Sequence, residues 1–209
     1  MTTLALLDYA AALVFAATGA LAASRAQLDI VGFFFLASLT AVGGGTLRDL
    51  ILDRNPVFWV ADPLPIALAC AVALVVFFTA HLLESRLRVL IWLDALALPV
   101  AVAAGVAAAQ EIAVSAPIVL VMGIATGTFG GLLRDVVANE LPLVLKQGEL
   151  YVTAALGGAC AALAAPLFTD HAMAPVLACI ATAFALRAGS LAFGWRLPVY
   201  KPRPPRSKP

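Results

Sequence analysis

The amino-acid sequence predicts an all-α polytopic membrane protein: seven transmembrane helices as an inverted 3+3 repeat plus one, with spans two and five broken at glycines. Three observations carry this. Of 209 residues, 63% are hydrophobic and 12% charged, against about 25% charged in an ordinary soluble domain; mean hydropathy is +1.02. The apolar residues fall into segments of the ~20-residue length that crosses a hydrocarbon core about 30 Å thick. One polar motif occurs twice, as Gly43-Gly44-Gly45-Thr46-Leu47-Arg48-Asp49 and Phe129-Gly130-Gly131-Leu132-Leu133-Arg134-Asp135.

The copies lie 86 residues apart, the difference between 44 and 130 and between 49 and 135. The same offset relates Asp8 to Asp94, Gly19 to Gly105 and Pro56 to Pro142, so the chain is internally duplicated. Span one, about 4–24, follows Met1-Thr2-Thr3 with no basic residue ahead of it, which reads as a true span and not a removable signal peptide. A short link leads to span two, 30–52, which carries the first motif; Pro56 then ends the post-motif segment, and span three runs 64–83. Span four, 87–109, repeats Asp8 as Asp94; span five, 113–138, carries the second motif; spans six and seven cover 150–168 and 173–194. Residues 1–195 thus form a single transmembrane domain, with repeat one at 4–83 and repeat two at 87–168, and 196–209 a basic, proline-rich tail of extended character.

Lys and Arg set the orientation. Links after spans one, three, five and seven carry Arg25, Arg86, Arg88, Arg134, Lys146, Arg196, Lys201, Arg203, Arg206 and Lys208, whereas the other side has Arg48 and Arg54. The expected placement is the cell inner (plasma) membrane, N-terminus outside and C-terminus cytoplasmic. Three spans per repeat is an odd number, so the second copy enters from the opposite side. Inverted repeats of this kind place a permeation path at their shared centre.

Glycines at mid-span weaken a helix by about 1 kcal/mol each relative to alanine. At Gly43, Gly44, Gly45, Gly130 and Gly131 this predicts a kink or local unwinding that presents carbonyl oxygens to a dehydrating cation. The alternative use of such glycines is close helix packing. Their duplication beside Arg-Asp favours the first reading. Thr40, Thr46, Thr126 and Thr128 surround the motifs and either line the path or bond to their own backbone.

Arg48 stands about 6 Å past the break, where an unpaired charge costs about 2.5–3.5 kcal/mol on insertion scales. Asp49 is its sequence neighbour and lies on another face of the helix, which makes it a poor partner. Depth selects Asp8 for Arg48 and, equivalently, Asp94 for Arg134. Asp49 and Asp135 are then either structural or free to attract cations. A net charge of +1 points to no nucleic acid. Cys70, Cys160 and Cys179 show no disulfide or metal spacing. Gly43-Gly44-Gly45-Thr46 lacks the lysine and glycine spacing of a phosphate-binding loop, and no catalytic constellation stands out. No enzyme activity, metal or cofactor is expected, beyond a permeant potassium or sodium ion and bound lipid.

The glycine–Arg-Asp motif at 43–49 and 130–135, Pro56 and Pro142, and the three-plus-three-plus-one span count resemble the prokaryotic trimeric intracellular cation (TRIC) channels. The resemblance covers about residues 4–194. It implies a homotrimer in membrane lipid, each protomer with its own pore, spans two and five kinked at the glycines, passing monovalent cations, mainly potassium. Phe129 departs from a full triple glycine. Part of this family has been labelled as glycine transporters, so the resemblance also implies a second reading, a carrier of a small solute such as glycine.

Overall fold

The computed structural model describes residues 2–198, so most of the expected tail lies outside the described residues. Helix α1 spans Thr3–Arg25, α2 Ile30–Ile51, α3 Phe58–Ala61, α4 Leu64–Thr79, α5 Arg86–Glu111, α6 Ala116–Val137, α7 Val152–Ala164 and α8 Ala174–Phe193. Local chemistry fixes the starts. Side chains of Thr2, Asp29 and Ser85 accept the free amides of Ala5, Gly32 and Arg88 at the first turns of α1, α2 and α5.

The stops carry the duplication in their backbone. Gln27 and Ala113 have φ of 56° and 54°, and Asp53 and Asn139 have 51° and 55°, each pair separated by the repeat offset. These left-handed residues end α1, α5, α2 and α6. Around them the amides of Arg54 and Glu140 return to the carbonyls of Asp49 and Asp135 at 2.9 and 2.8 Å, a Schellman-type closure that satisfies carbonyls freed at the helix ends.

Six helical segments are long and apolar enough to cross a membrane: Thr3–Arg25, Ile30–Ile51, Leu64–Leu82, Arg86–Glu111, Ala116–Val137 and Ala174–Phe193. The segment expected as span six is shorter: α7 has 13 residues and continues only into a three-residue 3-10 turn, Ala165–Leu167. Gly148, at φ 81°, and the bridge from Glu149 to Arg196 hold its first residues out of the helix. Packing runs α1 against α2, α4 and α5, and α2 against α6, so the repeats meet along α1–α5 and α2–α6, with α8 lying on α5 and α7. Charge is distributed inside-out: Asp8, Arg48, Asp49, Asp94, Arg134, Asp135 and Arg187 are buried, whereas Val75, Phe78, Leu167 and Phe168 are exposed. Such a surface suits lipid contact.

The expected break at the glycines is absent. Helices α2 and α6 run uninterrupted through Gly43–Gly45 and Gly130–Gly131, because these residues admit a neighbouring backbone while the helical hydrogen bonds are kept. A Cβ on Gly44 would overlap the Thr126 carbonyl oxygen, and one on Gly130 would lie 2.5 Å from the Thr40 carbonyl oxygen. The contact is reciprocal under the repeat offset, the pattern a two-fold relation generates. Gly19 and Gly105 repeat it, facing the carbonyls of Leu36 and Met122 at 2.5 Å.

Candidate functional site at the crossing of the two repeats

Since Gly44 meets Thr126 while Thr40 meets Gly130, residue numbers run in opposite directions and α2 and α6 are antiparallel where they cross. Arg48 and Arg134, each one turn beyond its glycine, therefore lie on opposite sides of the crossing.

At one end Arg48 is fully buried. Its Nη1 and Nη2 donate to Oδ1 and Oδ2 of Asp8 at 2.7 and 3.1 Å, a bidentate fork, and its Nε donates to Asp49 Oδ1 at 2.8 Å. The guanidinium lies 5.4 Å from the centroid of the Phe58 ring. Asp49 is thus a partner of Arg48, contrary to the expectation from helical spacing. The Phe58 amide donates to Asp49 Oδ2 at 2.8 Å and fixes the carboxylate where Nε, partway along the arginine chain, reaches it sideways. Nor are Asp49 and Asp135 free carboxylates: both are buried and doubly engaged.

The other end is similar but not identical. Arg134 Nη1 donates to Asp94 Oδ1 at 3.0 Å and to Thr18 Oγ1 at 2.8 Å, and Nε donates to Asp135 Oδ1 at 2.7 Å. Asp135 Oδ2 accepts the Leu143 amide at 2.8 Å. Among the described residues Asp94 Oδ2 and Arg134 Nη2 have no hydrogen-bond partner. Asp94 Oδ1 and the Tyr151 hydroxyl converge on Gly131, where a Cβ would stand 3.3 Å from each. Tyr151 is buried, its ring lies under the Arg187 guanidinium at 4.8 Å, and Arg187 Nη1 donates to Glu149 at 2.9 Å. The counterpart of Tyr151 under the offset is Pro65, so the aromatic at this end has a different origin from Phe58 at the other.

At the Arg134 end one guanidinium bonds two carboxylates, whereas at the Arg48 end Arg54 Nε stands 3.6 Å from Asp49 Oδ1 as a second guanidinium, with the exposed Glu111 on its other side. Neither end leaves a buried arginine of the motif without a carboxylate. The threonine hydroxyl hydrogens are committed to their own helices: Thr40 to Leu36, Thr46 to Val42, Thr126 to Met122 and Thr128 to Ile124, at 2.6 to 2.9 Å. Only their oxygen lone pairs remain to face a passing ion. Thr46 also accepts from Trp59 Nε1 at 2.9 Å.

A cavity at the crossing is lined by Asp8, Phe15, Thr40, Gly44, Phe58, Ala101 and Thr126. Repeat one supplies most of this lining and repeat two only Ala101 and Thr126, so the cavity lies on the Asp8 side of the crossing. Its space is ≈ 10 Å³, about that of one water, and in this state it admits no hydrated ion. Among the described residues no cluster of His, Cys, Asp and Glu has the arrangement of a metal site.

Two ion pairs escaped the sequence reading. Arg25 binds Glu140 at 3.0 Å and Arg54 binds Glu111 at 2.8 Å, each tying the end of one repeat's first helix to the loop after the other repeat's second. Arg25 and Glu111 are offset equivalents, as are Arg54 and Glu140, so the strap is duplicated with its charges exchanged. Comparing the repeats for complementary charge would have found it.

These features define a multi-pass membrane protein whose duplicated halves cross at paired glycines between two buried arginine–carboxylate clusters. The chain belongs to the family whose model is described as Glycine transporter, which matches residues 5–81 and again 91–166. It is 36% identical over 203 residues to a UPF0126 membrane protein of Vibrio cholerae, covering 93% of this chain and 82% of the relative. With the UPF0126 inner membrane protein YadS of Escherichia coli it shares 40% identity over 156 residues, 73% of each chain. Among solved structures, the TRIC trimeric intracellular cation channel orthologue from Rhodobacter sphaeroides is 44% identical with a TM-score of 0.88, covering 93% of this chain and 100% of that one. A second structure, described under conductance through TRIC cation channels, is 26% identical with a TM-score of 0.83 over 97% of this chain and 100% of that one.

Proposed function

We propose that the protein is a channel for monovalent cations, mainly potassium, with a pore inside each protomer of a homotrimer. The membrane is the cell's inner membrane, with the N-terminus outside and the C-terminus cytoplasmic. The observation that carries the reading is the placement of two buried clusters, in each of which carboxylates compensate the arginine, on opposite sides of a crossing with a small cavity beside it. A cation is drawn to either end by Asp8 and Asp94 and meets acceptor-only oxygens of Thr40 and Thr126 between them. No bond is made or broken, and the protein is not an enzyme. Its likeness to the TRIC orthologue from Rhodobacter sphaeroides supports this reading.

Conduction requires the crossing to widen. Because α2 and α6 keep their helical hydrogen bonds through the glycines, selection rests on cluster charge and not on a ring of exposed carbonyls. A carrier of a small solute is the second reading, favoured by the name of the family model and by the small cavity beside the crossing. Recording purified protein in planar bilayers separates the two. Unitary potassium currents are expected, and saturable glycine uptake without them contradicts the channel.

A further inference from the structure

We propose that the groove between the start of α5 and the end of α8 binds an anionic phospholipid, its phosphate on Arg88 and an acyl chain against Ile91, Trp92 and Leu191. The groove is about 380 Å³ and is lined by Ser85, Leu87, Arg88, Ile91, Trp92 and Leu191. Two arginines open α5 and differ in employment. Arg86 donates to the carbonyls of Ala80 and Ser24 at 3.2 and 3.3 Å, tying α5 to the ends of α4 and α1. Arg88 is exposed, and among the described residues its side chain makes no ion pair or hydrogen bond, Glu84 included.

Helical geometry puts Ile91 and Trp92 on the face of Arg88, three and four residues on and about 6 Å deeper. Trp92 is 39% exposed. A cation one turn above an open indole, at the end of an apolar helix, matches the spacing of a headgroup phosphate over the interfacial zone where tryptophan settles. The surrounding charge fits an anion. The adjoining groove shares Leu87; its carboxylates Glu140 and Asp135 are bound to Arg25 and Arg134, which leaves Lys146 as its cation. A soluble anion would leave the apolar wall unfilled, and a neutral lipid would leave Arg88 unanswered.

The test is tryptophan quenching by brominated phosphatidylglycerol and, separately, brominated phosphatidylcholine in vesicles holding the full-length protein at low salt. The Trp92 signal is taken as the difference between wild type and Trp92→Phe. Half-maximal quenching is expected at about fivefold lower phosphatidylglycerol than phosphatidylcholine. That preference is expected to vanish in Arg88→Gln and to persist in Arg88→Lys, with all variants eluting as wild type. Equal quenching by the two lipids, a preference that survives Arg88→Gln, or a Trp92 that neither lipid reaches because protein covers it would each overturn the proposal. The outcome is independent of whether the protein conducts ions.

Discussion

Gly44 of α2 lies directly beneath the carbonyl oxygen of Thr126 in α6, with no room for a Cβ between them. Its neighbour Gly43 is tighter than ideal only against the Leu133 Cδ1 methyl, at 2.9 Å. A methyl at the end of a leucine can swing away, and a helix carbonyl cannot. Gly44→Ala is therefore expected to destabilise by about 2–3 kcal/mol, toward the upper range for overpacking, and Gly43→Ala by clearly less. Thermal unfolding of the two variants checks this. If the glycines served to unwind the helix, alanine at either position would act alike.

Arg48 engages Asp8 with both terminal nitrogens and Asp49 with Nε, whereas Arg134 leaves Nη2 unpartnered. Lysine has one nitrogen and cannot reproduce a fork. Arg48→Lys is expected to lose more stability than Arg134→Lys, and Arg48→Ala to cost about 3–5 kcal/mol because two buried carboxylates lose their counter-charge. Equal losses for the two lysine variants would contradict the asymmetry of the ends.

The strap pairs give a further test. Arg54→Glu places like charges together at Glu111 and beside buried Asp49, 3.6 Å from Arg54 Nε, and is expected to destabilise by more than the roughly 1 kcal/mol of an exposed pair. Glu111→Arg added to it should restore the share carried by the exposed pair, since the pair at Arg25–Glu140 already shows that the fold accepts the opposite polarity. A double-mutant cycle measures the coupling, and a coupling near zero would remove the straps from the account.

Tyr151 is buried beside Asp94 and Arg134 and is braced by Arg187. Replacing it by alanine opens that end while leaving Arg134 its bonds to Asp94 Oδ1 and Asp135. In bilayers the expected result is a higher open probability for Tyr151→Ala, with the direction of cation preference unchanged. An open probability equal to wild type would show that closure lies elsewhere, at the glycine crossing.

What the sequence made legible follows from how each feature is encoded. Helices written as long apolar runs were readable, and so was the Asp8–Arg48 pairing, which shared depth suggests. Two things were not. Glycine codes equally for a break and for a close approach, and only the partner carbonyls of Thr126 and Thr40 distinguish them. Tyr151 faces proline at its repeat position, Pro65, and Arg187 lies outside the duplication, so the repeat that pointed to the other charged site residues was silent about them.

The account stands most directly on the direction of charge selection. Reversal potential is measured for purified protein in a planar bilayer under a potassium chloride gradient. Clusters whose carboxylates compensate their arginines predict unitary currents that reverse close to the potassium equilibrium potential, with Asp8→Asn and Asp94→Asn shifting the reversal toward zero. Reversal at the chloride potential, or saturable glycine uptake with no unitary current, would contradict it.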